Sequence, residues 1–195
     1  MFARMASSVI VGLLALTGVA QAQIAPPVAL KPGVYRLDPA RTRVVFRVSQ
    51  LGPMAIRGEF PGAAGTLTVH DQDPVLARLD VRLPVEQVTA SSAAATATLK
   101  SPAMLDSAAF PTISFRSTRM VATGPATIDV EGDLTLHGVS RPVVLQGRRG
   151  PAVDGAPAYR FTTTIKRGEF GVRGYRGLVG DKVRLDIHAV LTPVG

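Results

Sequence analysis

The chain has 195 residues, of which 46% are hydrophobic, enough for one domain with a sizeable core. It contains no cysteine, which excludes disulfide stapling, thiol chemistry and any Cys-based metal site. The net charge is +8, and the cations are scattered among apolar residues, as in Arg41-Thr42-Arg43 and Lys182-Val183-Arg184, which argues against nucleic acid as a partner.

Taken from the start, the first 22 residues differ from everything after them. Arg4 and the amino terminus make a short positive region, residues 8–20 carry no charge, and Ala20-Gln21-Ala22 supplies the small-x-small pattern a signal peptidase needs. The apolar run falls short of the roughly 20 residues that span a bilayer, and no stop-transfer charges follow. A cleaved signal is therefore predicted over residues 1–22, with the mature protein in the periplasm. Its removal takes 195 residues to 173 and, with Arg4 gone, +8 to +7. Residues 23–32 hold three prolines and read as a linker, so the folded domain is predicted over 33–195.

From Gly33 the pattern has period two. Val44, Phe46 and Val48 share one face, as do Ile56, Gly58 and Phe60, then Ala77, Leu79, Val81 and Leu83, then Ile113 and Phe115. Ile128, Val130, Gly132, Leu134 and Leu136 oppose Thr127, Asp129, Glu131, Asp133 and Thr135. Val183, Leu185, Ile187, Ala189 and Leu191 oppose Lys182, Arg184, Asp186 and His188. Each set predicts a strand with one face inward and one in water. Turn residues separate them, notably Asp38-Pro39, Leu51-Gly52-Pro53, Asp73-Pro74, His137-Gly138 and the Gly/Pro-rich stretch 149–157. Seven or more strands with no βαβ rhythm make an antiparallel sandwich or barrel. Residues 88–111 break the alternation. Ser92 is placed to cap a short helix over 93–99, and Asp106 or Ser107 a further turn before Pro111. This excursion of about 20 residues either covers one end of the fold or is a passive crossover.

A set of motifs carries a family resemblance. They are Tyr35-Arg36-Leu37-Asp38, Leu51-Gly52, Arg57-Gly58-x-Phe60, Leu99-Lys100-Ser101, Phe110-Pro111-Thr112-Ile113-Ser114-Phe115-Arg116-Ser117-Thr118, Gly132-x-Leu134-Thr135-Leu136-x-Gly138-Val139 and Arg167-Gly168-Glu169-Phe170-Gly171. In this order they resemble the YceI-like family of bacterial proteins over nearly the whole mature chain. The resemblance implies an all-β fold, an eight-stranded antiparallel lipocalin-like β-barrel with the short helical excursion around 90–110 packed over it. It also implies export and an interior that holds a long-chain amphiphile of polyisoprenoid, quinone or fatty amide type. Three places depart from the family pattern. Ala-Thr-Ala-Thr stands before Leu99 where an Asp and a His are usual, Met104-Leu105 replaces an aromatic pair, and Gln50 replaces a His.

For such a container the inward parity nominates Phe46, Val48, Ile56, Phe60, Leu79, Val81, Ile113, Phe115, Leu134, Leu136, Phe161 and Ile165 as lining, or alternatively as the fill of a dry core. With seven Phe, three Tyr and no Trp, the interior is lightly filled. The glycine series from Gly171 to Gly180 carries Arg173, Tyr175 and Arg176, either a lid gripping an anionic head group or an exposed hairpin loop. Arg167 is the first choice for an inward or rim arginine. Catalysis has little to rest on, because His70, His137 and His188 lie far apart and no Gly-x-Ser-x-Gly elbow occurs. Asp129, Glu131 and Asp133 share one outward face, suited either to a hard cation or to cross-strand arginines. No catalytic or metal residue and no cofactor is nominated. The expected function is a periplasmic carrier of a lipid chain, with transient membrane contact and a homodimer left open. The rivals are a closed-core envelope stress or interaction protein and an enzyme acting on an isoprenoid lipid.

Overall fold

A computed structural model describes residues 30–50, 55–70 and 77–194. The predicted signal, most of the linker, Leu51-Gly52 and the Asp73-Pro74 turn lie outside the described residues. Eleven strands follow in order: β1 (Gly33–Leu37), β2 (Arg43–Gln50), β3 (Ala55–Phe60), β4 (Ala64–Val69), β5 (Arg78–Pro84), β6 (Thr89–Ala90), β7 (Thr112–Gly124), β8 (Thr127–Leu136), β9 (Val139–Arg149), β10 (Ala158–Lys166) and β11 (Val179–Pro193). One helix, α1 (Ala93–Lys100), lies between β6 and β7.

These segments make eight staves. β1 and β2 both run antiparallel to β11, with Leu37 opposite Leu191 and Val48 opposite Val183, so they are one interrupted stave. β3 and β4 form the next, facing β2 and β1 respectively. β5 and β6 form the third, facing β4 and β3. β7 to β11 complete an up-and-down meander, and the pairing of β11 with β1 and β2 closes it. The result is a closed eight-stranded antiparallel barrel, as the family resemblance implied. Closure leaves no free sheet edge between first and last staves, which is how a cysteine-free barrel avoids an exposed template for pairing.

The interruptions are held by local chemistry. Between β1 and β2, Pro39 cannot donate to the ladder, and the Asp38 carboxylate accepts the Ala40 and Arg41 N–H groups at 2.9 and 3.1 Å. The Arg41 guanidinium, 2.7 Å away, holds that carboxyl below its usual pKa. Thr42 Oγ1 then accepts the Val190 N–H at 3.2 Å, returning the chain to the sheet.

The barrel has two unlike ends. At the Gly33 end, where β1 begins and β11 finishes, Tyr35, Leu67, Met120 and Val130 are buried in the core. The other end carries α1, the His137–Gly138 turn and the segment 167–180. Ser92 Oγ accepts the Ala95 N–H at 3.1 Å and caps α1 as expected. The turn before Pro111 also forms, closed by the Ala109 and Phe110 N–H groups on the Asp106 carbonyl.

Three inward glycines shape the interior. Gly58 lies directly opposite Phe46 and Gly147 directly opposite Phe161, while Gly132 sits diagonally from Phe115. A Cβ at Gly132 would come 2.6 Å from Phe115 Cζ, and one at Gly147 would come 2.6 Å from Phe161 Cδ1. Each ring therefore lies down over a bare backbone, along the wall. A side chain in those places would push the rings toward the axis.

Candidate functional site

The α1 end encloses a cavity of about 160 Å³. Its wall comes from all eight staves and from two covering segments. Among the described lining residues only Thr42, Thr163 and Arg167 are polar. The Thr42 hydroxyl is occupied by the Val190 N–H. The space is thus hydrocarbon-like, and a void of this kind, lined by Leu, Ile, Val and Phe, stays free of water and accepts apolar guests.

Eleven of the apolar residues nominated from sequence lie on this wall: Phe46, Val48, Phe60, Leu79, Val81, Ile113, Phe115, Leu134, Leu136, Phe161 and Ile165. Ile56 does not. It is half-buried and packs against the core from β3, beyond the two residues that β6 contributes alongside. The wall also includes residues not nominated. Val183, Leu185, Ile187 and Ala189 of β11 carried the inward parity and were legible as lining. Leu99, Met104 and Leu105 belong to the excursion, where no alternation marks them.

Those three side chains, all buried, settle what the excursion does: it covers this end of the barrel. Its polar anchor is Glu86, just after β5. Lys100 Nζ donates to Glu86 Oε1 at 2.8 Å and the Ser107 hydroxyl donates to Oε2 at 3.0 Å, which together hold the Glu86 carboxyl below its usual pKa.

The second cover is segment 171–180, held by Arg167. This residue sits in the single turn of 3₁₀ helix after β10 and is only 5% exposed. Its Nε donates to the Gly180 carbonyl at 2.9 Å, Nη2 to Val179 at 2.9 Å, and Nη1 to Gly174 at 2.7 Å and Val172 at 3.4 Å. Nη1 also lies 3.8 Å from Met104 Sδ, so the guanidinium touches both covers. Burial lowers its pKa, with Asp181 opposing and Arg176 assisting, yet a guanidinium stays charged. Val172 and Val179 reach the cavity from this segment. Gly174 is packed so closely on Ala103 and Met104 that no side chain fits there. Arg173, Tyr175 and Arg176 are exposed and off the cavity wall; Arg176 borders a separate surface groove with Lys166 and Asp181.

Three of the other polar candidates have ordinary partners. The His137 ring packs tilted against Phe110, with ring centroids 4.3 Å apart. Glu131 lies 3.6 Å from Arg119, and Asp133 faces Arg116 across the β7–β8 ladder. No group of three or more His, Asp or Glu among the described residues could hold a metal ion.

The sequence model of the YceI-like domain matches residues 35–191. A UPF0312 protein of Pseudomonas savastanoi pv. phaseolicola is 33% identical over 178 residues, covering 89% of each chain. One from Azotobacter vinelandii is 31% identical, covering 89% of this chain and 90% of its own. Among solved structures, Burkholderia cenocepacia BcnA superposes with a TM-score of 0.73 at 19% identity, covering 80% of this chain and 99% of that one. A polyisoprenoid binding domain from Saccharophagus degradans gives 0.65 at 13% identity, covering 82% and 98%. A domain match over nearly every described stave, with relatives aligned along most of their length, means that this chain belongs to the YceI-like domain family.

Proposed function

We propose that the protein is an exported, periplasmic carrier that shelters the hydrocarbon tail of a long-chain amphiphile, of polyisoprenoid, quinone or fatty amide type, in the hollow half of its barrel. The observation that carries this reading is the cavity at the α1 end, whose lining has one charged group, and that group is spent on backbone carbonyls. An apolar chain gains about 0.8 kcal/mol per buried CH₂. Ten methylene equivalents then supply roughly 8 kcal/mol, in the micromolar range, without a single hydrogen bond. The polyisoprenoid-binding description of the Saccharophagus degradans domain supports the same reading. The N-terminal signal pattern supplies the route to the periplasm. The nominated lining residues act as a smooth apolar sleeve, and chemistry on the ligand is not part of the proposal.

Mass spectrometry of lipid extracted from protein purified without detergent tests it. A stoichiometric prenyl or acyl species is expected, and Leu134→Trp, which fills the wall, should lower its occupancy severalfold while the protein still folds. Ligand-free protein that also refuses added prenyl chains would sink the carrier reading in favour of a closed-core interaction protein.

A further inference from the structure

The outer surface of the barrel is divided as sharply as its interior. On β5, β7 and β8 outward cations face acids: Arg116 reaches Asp80 at 3.1 Å and Arg119 reaches Glu131 at 3.6 Å. On β3, β2 and β11 Arg43 still meets Glu59 at 2.9 Å, but nearer the α1 end the register does the opposite. Arg57 stands directly opposite Arg47, and Arg47 directly opposite Arg184. One row nearer the α1 end, Lys182 stands directly opposite Lys166. Like charges directly opposed on an antiparallel ladder cost the fold stability, a cost that Asp186 offsets only between Arg47 and Arg184.

The segment 171–180 lies at the same end. It adds Arg173 and Arg176, and between and beside them it exposes Tyr175 at 48% and Leu178 at 53%. Tyr175 has φ 53°, a left-handed conformation rarely adopted outside glycine. These seven cations have four carboxylates near them, one being the Glu59 that Arg43 holds at 2.9 Å. Asp186 lies between Arg47 and Arg184, Glu169 is 3.3 Å from Lys166, and Asp181 accepts the Gly168 N–H.

We propose that this end of the protein docks on a bilayer rich in anionic phospholipid, with the Arg57–Arg47–Arg184 and Lys166–Lys182 rows over the head groups and Tyr175 and Leu178 in the interface. Cations near an anionic leaflet are attracted individually, and an exposed Tyr with a neighbouring aliphatic side chain suits the head-group depth. Val172 and Val179, in the same segment, line the cavity, so docking brings the hollow end to the membrane. The proposal deepens the carrier reading and rests on it for its purpose, while the docking face has its own test.

That test is co-sedimentation with vesicles of equal parts phosphatidylethanolamine and phosphatidylglycerol, against vesicles of phosphatidylcholine alone. Parent and variants share one N-terminus, so any contribution of residues 1–29 cancels. The parent should partition to the anionic vesicles only, and added salt should release it. The triple variant Arg47→Gln, Arg57→Gln, Arg184→Gln should lose roughly tenfold or more in partitioning, at severalfold per cation, while its circular dichroism stays that of the folded parent; Asp186 loses its two arginine partners as the repulsive row goes. Tyr175→Ser with Leu178→Ser should lose severalfold. Arg148→Gln with Arg160→Gln removes a like-charge pair at the Gly33 end and should change partitioning less than about twofold. Equal binding to phosphatidylcholine, parent-like binding by the triple variant, or an equal loss from the Arg148/Arg160 pair each overturns the proposal. Uptake of cis-parinaric acid, followed by its fluorescence, is measured on the same proteins. Variants that keep uptake while losing the vesicles support docking as an outer-surface property. A parent that binds vesicles but takes up no parinaric acid removes the carrier reading and leaves the docking face standing.

Discussion

The two ends of the barrel are made from the same staves by the same alternation, yet one is solid and the other hollow. At the Gly33 end, Tyr35 opposite Leu67 and Met120 opposite Val130 are all buried in the core, and none lines the cavity. Around the cavity, Phe46, Phe115 and Phe161 are bulky too, but each lies over an inward glycine. A void therefore needs no shortage of bulky residues. It needs the bulky residues turned aside, and then covers to keep water out.

The comparison can be broken in four ways. The largest effect is expected from Arg167→Met, which leaves the Val172, Gly174, Val179 and Gly180 carbonyls without their donor. Unfolding in urea should show a loss of roughly 2–4 kcal/mol, with amide exchange in 171–180 rising before the rest; a uniform rise would mean that Arg167 is not the fastening of the cover. Next, Leu67→Ala in the solid half should cost about 3 kcal/mol, and Leu136→Ala on the cavity wall about half that, because a wall residue already lacks neighbours on one side. Equal costs, measured by the same titration, would erase the distinction between the ends. Gly147→Ala lifts the Phe161 ring into the lumen; it should cost about 1–3 kcal/mol and lower parinaric acid uptake severalfold, and unchanged uptake would show that the ring does not bound the cavity.

The smallest effect concerns the excursion. The Lys100 and Ser107 bonds depress the folded pKa of Glu86 below its unfolded value. Their stabilisation is therefore fully present above the unfolded pKa and is lost as pH falls through the folded one. Protease cleavage within 93–105 should rise across that acidic window, and Glu86→Gln should raise the neutral-pH rate slightly and flatten the pH dependence. A variant with the parent's acid response would free Glu86 of this role.

Much of this was legible along the chain. The inward parity put Phe46, Leu79, Phe115 and Leu134 on the cavity wall because a strand's side chains alternate whatever their neighbours do. Ile56 obeyed the same parity and still fell off the cavity wall: it lies past Gly58, where the two-residue β6 stops running alongside β3. Leu99, Met104 and Leu105 had no periodic signal, because helix and turns bring them to the wall from a segment whose sequence is mostly Ala, Ser and Thr. Arg167 stood out as an arginine in a motif. That its donors meet carbonyls of its own chain rather than a ligand's anion depends on where 172–180 folds back.

By itself the sequence determined which face of each strand is apolar, where the chain turns, and that no crosslink holds the fold. Those are local properties, written in alternation, in Gly and Pro, and in the absence of Cys. Only the tertiary structure decided that the barrel is hollow at one end, which glycine lies beneath which ring, and which arginines confront each other on the outside. All three depend on cross-strand register, and register is settled by the closure of all eight staves together.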